Sequence, residues 1–126
     1  MDFSNYDIPY FSLEPLKTFV IEIQIKIINT GWGSGYVLIP PNHKAYGLSM
    51  DDLNTIIDVH GGITFHQPVK SLTNDRWWFH FDRNKYINHY LLGFDTAHYG
   101  DNLENWSKEH VIEETKKLVK QLNNIR

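Results

Sequence analysis

Two short stretches of this chain carry side chains able to do chemistry, each lying just beyond an apolar run. One is Asp58-Val59-His60-Gly61-Gly62; the other is Leu91-Leu92-Gly93-Phe94-Asp95-Thr96-Ala97-His98-Tyr99-Gly100-Asp101. Carboxylates and imidazoles are oxygen and nitrogen ligands, so His60, Asp95, His98 and Asp101 form a candidate set for zinc, manganese or iron. The same residues suit acid–base catalysis, with His60 or His98 as the proton acceptor and an aspartate such as Asp95 fixing its tautomer. Gly61 and Gly62 let a ligand approach the backbone. Asp58, Thr64 and His43 are further candidates for holding a polar ligand.

Every one of these residues also has a purely structural reading. His60 would lock its turn by donating to a carbonyl. Asp95 would close an Asx turn after a strand, and Asp101 with Glu104 would cap the turn before Trp106. The spacing matches no established metal-ligand signature, so it leaves site and scaffold evenly matched. His66, His80, His89 and His110 have no polar cluster around them in sequence and are read as structural or exposed.

The elements that must position these groups follow from periodicity. From Thr18 to Asn29, Phe19, Ile21, Ile23, Ile25 and Ile27 alternate with polar residues, which predicts a strand with one face in the core. Thr30-Gly31-Trp32-Gly33-Ser34-Gly35 predicts a turn, its glycines supplying positive φ, and Tyr36–Ile39 the antiparallel return before Pro40-Pro41. A phosphate loop is the sharper reading of those glycines, but it needs a helix directly after them, and Tyr36–Ile39 is strand-like. Ser49 and Asp52 mark a capped short helix through Ile56. Ile63–Phe65 reads as a strand, and Arg76–Asp82 with Tyr86–Phe94 as a hairpin across Arg83-Asn84-Lys85. The tail predicts an amphipathic helix capped by Ser107, with Val111, Thr115, Leu118, Leu122 and Ile125 on one stripe. Its glutamates come early and lysines late, and Glu113–Lys117 is an i,i+4 pair. The expected fold class is α+β: an antiparallel sheet of about five strands, a short helix, and the C-terminal helix packed on one face.

Length and composition bound the rest. The 126 residues suit a single domain, 1–126, with residues 1–17 as an aromatic N-terminal arm. A 41% hydrophobic and 14% aromatic content predicts a packed core. A net charge of -3, with no basic run, argues against a grip on long nucleic acid. The absence of cysteine removes disulfides and thiolate chemistry. No secretory signal or membrane-length apolar run is visible, so a cytoplasmic location and no membrane partner are expected.

Three segments carry a resemblance: Gly35-Tyr36-Val37-Leu38-Ile39-Pro40-Pro41-Asn42-His43-Lys44-Ala45-Tyr46-Gly47, Asp58-Val59-His60-Gly61-Gly62-Ile63-Thr64-Phe65, and Gly93-Phe94-Asp95-Thr96-Ala97-His98-Tyr99-Gly100-Asp101. In that order, and followed by an acidic-then-basic helix, they resemble a family of small uncharacterised proteins from tailed-phage and prophage genomes. In that family a tryptophan pair usually precedes Gly-Phe-Asp, where this chain has Leu91-Leu92, and a cysteine often stands where it has Thr96. The resemblance implies a phage accessory protein in the host cytoplasm, acting on or sequestering a host metabolite or immune signal. The first expectation is therefore a protein that binds a small polar, nucleotide-like molecule to counter host defence. The alternatives are a metal-assisted phosphate-ester hydrolase using the histidines and aspartates, and a module that contacts a host protein without a ligand.

Overall fold

The computed structural model describes residues 15–23 and 29–125. The expected arm falls outside these except for residues 15–17, as do Ile25 and Ile27 of the expected first strand. Four strands are formed: β1 (Thr18–Glu22), β2 (Gly33–Ile39), β3 (Phe65–Pro68) and β4 (Tyr90–Phe94). They make one antiparallel sheet in the order β1-β2-β4-β3. Helix α1 (Met50–Ile56) and helix α2 (Lys108–Asn123) complete an α+β fold, with one strand fewer than expected. No helix among the described residues is long and apolar enough to cross a membrane.

The alternation of side chains across β2 and β4 builds two cores, one on each face of the sheet. Val37, Ile39, Leu92 and Phe94 meet α1 and the α2 stripe of Val111, Leu118 and Leu122. Leu38 and Leu91 point the other way, onto Val69, Leu72 and Phe81. Central strands buried on both faces are apolar at successive positions, as Val37-Leu38-Ile39 and Leu91-Leu92 are. Strand β1 lies at the edge, and its Phe19 joins the second core while Val20 joins the first. Phe19, Ile21 and Ile23 are therefore half-buried rather than the heart of a single core.

Gly33 and Gly35 lie inside β2 rather than in a hairpin turn, and neither has positive φ. A Cβ on Gly35 would collide with Thr115 Oγ1 and the Phe94 ring. The glycine is there so that α2 can lie close against the sheet.

The expected hairpin over 76–94 does not form. Asp75–Phe79 is a 3-10 helix whose first turn is capped by the Asn74 side chain, which accepts from Arg76 N at 3.0 Å. Trp77, Trp78 and Phe81 have helical spacing, and all three serve the second core. Phe79, which strict alternation placed inside, is 87% exposed. Asp82 Oδ1 accepts from Asn84 N at 2.9 Å, holding the next segment in turns, so strand pairing resumes only at Tyr90. The strand expected at Ile63–Phe65 begins at Phe65, because the Asn54 side chain occupies both the N–H and the carbonyl of Ile63. Pro68 ends it on an edge strand, where its missing N–H costs no ladder bond.

The capped helices form as the sequence dictates. Ser49 accepts from Asp52 N at 3.1 Å, and Ser107 from His110 N at 3.3 Å. Glu113 pairs with Lys116 at 3.2 Å, whereas Lys117 reaches Asp58 at 3.7 Å and Glu114 at 3.9 Å. Leu118 is fully buried, and Leu118→Ala should cost about 2–4 kcal/mol in a denaturant melt. Lys117→Ala should cost no more than about 0.5 kcal/mol, since Lys117 is itself exposed and both its contacts are long. Similar costs for the two would refute this assignment of faces.

His43 is buried at the exit of β2, where its Nδ1 accepts from Ala45 N at 3.0 Å and its Nε2 donates to Asn123 Oδ1 at 3.0 Å. Burial holds its pKa below the usual histidine value, outweighing the Asn123 hydrogen bond, and burial does the same to His89. A folded value below the unfolded one means that the unfolded chain takes up protons first as pH falls. This stability is full above about pH 6.5 and is lost as pH drops below it toward the folded values. Urea midpoints should fall between about pH 7.5 and about pH 5, and His43→Gln should make that fall shallower. An unaltered slope would assign the loss to other groups.

Candidate metal centre

The antiparallel pairing of β3 with β4 sets Phe65 opposite Gly93, and Thr64 N donates to Gly93 O at 2.9 Å. The segment entering β3 and the segment leaving β4 therefore share one rim of the sheet. That brings the two polar stretches together.

Asp101 is at the centre. It is only 6% exposed, and its two carboxylate oxygens lie 2.9 and 3.0 Å from His60 Nε2. His98 N donates to the same carboxylate at 2.9 Å. A carboxylate can only accept, so in the protein alone His60 carries its proton on Nε2. The His60 and His98 rings lie 5.4 Å apart, at 78° to each other. One ligand atom each from His60, His98 and Asp101 fall within 4.8 Å of one another. The His60–Asp101 spacing is that of a direct hydrogen bond, and ligands about 2.1 Å from a tetrahedral ion stand about 3.4 Å apart, so a cation could replace that bond with only a small separation of the two groups.

His98 supplies the sharper test of fit. Its Nε2 is buried and makes no aligned hydrogen bond. Asp95 Oδ1 stands 3.2 Å away, close enough for a charge contact though poorly aimed for a hydrogen bond. Gly61, at φ +71°, faces that nitrogen, and a Cβ there would collide with it. A buried nitrogen without a directed partner, beside a second imidazole and a carboxylate, is what a cation would satisfy.

Asp95 stands just outside the cluster. Its Oδ2 accepts from Thr64 Oγ1 at 2.9 Å, and its Oδ1 accepts from Ala97 N at 3.0 Å, closing the Asx turn. It combines the structural role with a place beside His98. The expected Asp101–Glu104 cap is absent; Asn102 serves that turn through Asn105 N and Trp106 N, leaving Asp101 to the histidines.

The other candidates are scattered. Asp58 is exposed and contacts Lys117, while its backbone is tied to the Gln121 side chain. Gly62, at φ +78°, packs near Asn54 and completes the turn from Val59. His43 sits at Asn123, nine residues along α2 from the Glu114 that holds His60, or about 13 Å of helix. It does not belong to the cluster. His66 and His80 stack on Tyr90 and Phe19, and His110 meets Ser107.

Two supporting residues escaped the sequence reading. Trp106 lies against the His60 ring, 4.2 Å between centroids. Glu114 accepts from His60 N at 2.7 Å and is 14% exposed. The signal for Glu114 was its place between Val111 and Leu118, at helical spacing on the buried stripe. Two cavities bordered by described residues lie away from the cluster, one between β1 and α2 and one beside Trp77 and Phe79.

No family model, curated protein or solved structure matches this chain.

Gly61→Ala should test that geometry. Strain at positive φ and collision with His98 should destabilise the fold by about 1–3 kcal/mol and displace the imidazole. Gly47→Ala, with nothing near its Cβ position, should be nearly silent in the same melt. Equal effects would remove the claim that Gly61 exists to admit His98.

Proposed function

We propose that this protein captures a small polar, phosphate-bearing molecule through a divalent cation held by His60, His98 and Asp101. The observation that carries the reading is the convergence of these three groups, with a buried His98 nitrogen lacking a directed partner. Three protein ligands leave coordination positions open to a bound molecule. A chain of net charge -3 needs such a cation to attract phosphate. In the phage setting that the sequence motifs suggest, capture of a host signal molecule would counter host defence. The runner-up is hydrolysis at the same cation, which uses the same residues and differs in the fate of the ligand.

Zinc or manganese should titrate into the protein at one equivalent, and His98→Ala should abolish that binding while leaving the cation-free melting curve nearly unchanged. Asp95→Asn should weaken affinity by about 10–100-fold, the usual cost of losing an outer carboxylate. On cation binding, nitrogen NMR should show the His60 proton moving from Nε2 to Nδ1, since Nε2 must give up its proton to serve as a ligand. A protein that takes up neither ion refutes the proposal. Recovering the bound molecule intact supports capture, and recovering it cleaved, dependent on His98, supports hydrolysis.

A further inference from the structure

The cluster is built around a tight turn. Asp101 N donates to His98 O at 3.0 Å while His98 N donates back to the Asp101 carboxylate at 2.9 Å. Gly100, at φ +89°, supplies the left-handed residue that such a turn needs at its third position. The first and fourth residues of the turn are thus two of the three cation ligands. Tyr99 is the second residue, held at the tip between them.

The Tyr99 ring is wholly exposed, at 107% of the reference value, and Leu103, two residues beyond Asp101, is 62% exposed. Single exposed apolar residues are ordinary. Here, however, two large ones fall within six residues that also contain two cation ligands, on a backbone fixed by reciprocal hydrogen bonds. The backbone that carries the ring is already fixed, so a flat partner lying on it has only the side chain to order. No lysine or arginine is among the groups that build the cluster, so a phosphate would depend on the cation and the remainder of the ligand on this apolar tip.

We propose that the molecule held at this site is a nucleoside phosphate, its phosphate on the cation and its base stacked on Tyr99. This rests on the cation reading above and adds the ligand class and the residue that selects it. A mononucleotide fits the charge better than a strand does, because net negative charge without a basic run opposes a polyphosphate backbone.

The test titrates protein loaded with zinc or manganese, whichever binds, with AMP, GMP, ribose 5-phosphate and inorganic phosphate. Stacking predicts that at least one nucleotide binds about tenfold or more tightly than ribose 5-phosphate. Tyr99→Ala should bring the nucleotide down to the ribose 5-phosphate level without changing cation affinity, and Tyr99→Trp should keep the preference. If loaded protein binds ribose 5-phosphate as well as nucleotides, or Tyr99→Ala retains the preference, the nucleoside proposal is overturned and the cation reading survives. If no cation binds, both fall.

Discussion

The buried Asp101 carboxylate is the constraint on which the rest of this rim depends. A carboxylate that loses most of its hydration must recover it through directed donors, or it destabilises the fold. Asp101 recovers it from two places far apart in sequence: the His60 imidazole and the His98 backbone. Satisfying that one charge fastens the segment before β3 to the loop after β4. The same loop is held from its other side by buried Thr96, whose hydroxyl donates to Gly33 O at 2.7 Å, and by Trp106 O, which accepts from Trp32 N at 2.7 Å. Position 96 is thus occupied by a hydroxyl with a structural task.

The sheet determines where that loop can be. Strand β4 is central, paired with β2 on one side and β3 on the other. Its side chains are locked into both cores, so a slip of one residue would turn Leu91 and Leu92 onto the wrong faces. With register fixed, Asp95 must emerge beside Thr64, and the two are hydrogen-bonded. Helix α2 supplies the third wall. Its apolar stripe sits on β2, and Glu114 within that stripe reaches the His60 backbone. The precision of the cluster is inherited from rigid elements rather than from its loops.

Much of this was legible in the sequence wherever a local rule and the tertiary environment agreed. The caps at Ser49 and Ser107, the α2 stripe and the β1–β2 pairing all follow from short-range patterns. The 76–94 region was misread because Trp77, Phe79 and Phe81 satisfy a two-residue period while Trp77, Trp78 and Phe81 satisfy a helical one. Only the second core, assembled from distant residues, decides between them. The glycines at 33 and 35 were misread for a related reason. Sequence shows that a side chain is missing, but not whether φ or a close neighbour requires it. Within the site, the pairing of His60 with Asp101 across 41 residues had no local signal beyond the two apolar runs that precede them. His43, a further candidate for holding a polar ligand, serves α2 instead.

Whether a scaffold alone would have produced this cluster turns on what each residue does. Asp95 and Asp101 each perform local work, closing an Asx turn and bridging a tight one, and aspartate is common in both tasks. His60 is explained in part by its donation to Asp101. The His98 side chain has a weaker account, because the backbone of His98 holds the turn and the imidazole meets only the poorly aimed Asp95 Oδ1 at 3.2 Å. Its buried Nε2 has no aligned hydrogen bond, a cost that the Asp95 contact at 3.2 Å offsets only in part. The cost is compounded at Gly61, which has to stay bare at positive φ for the imidazole to fit. His89 has an orphaned Nδ1 too, but it packs on Tyr86 with no carboxylate or second imidazole set against that nitrogen among the described contacts. The difference lies in the neighbours: the His89 nitrogen lies against an aromatic ring, whereas His98 belongs to a group of two imidazoles and a carboxylate that could hold a cation.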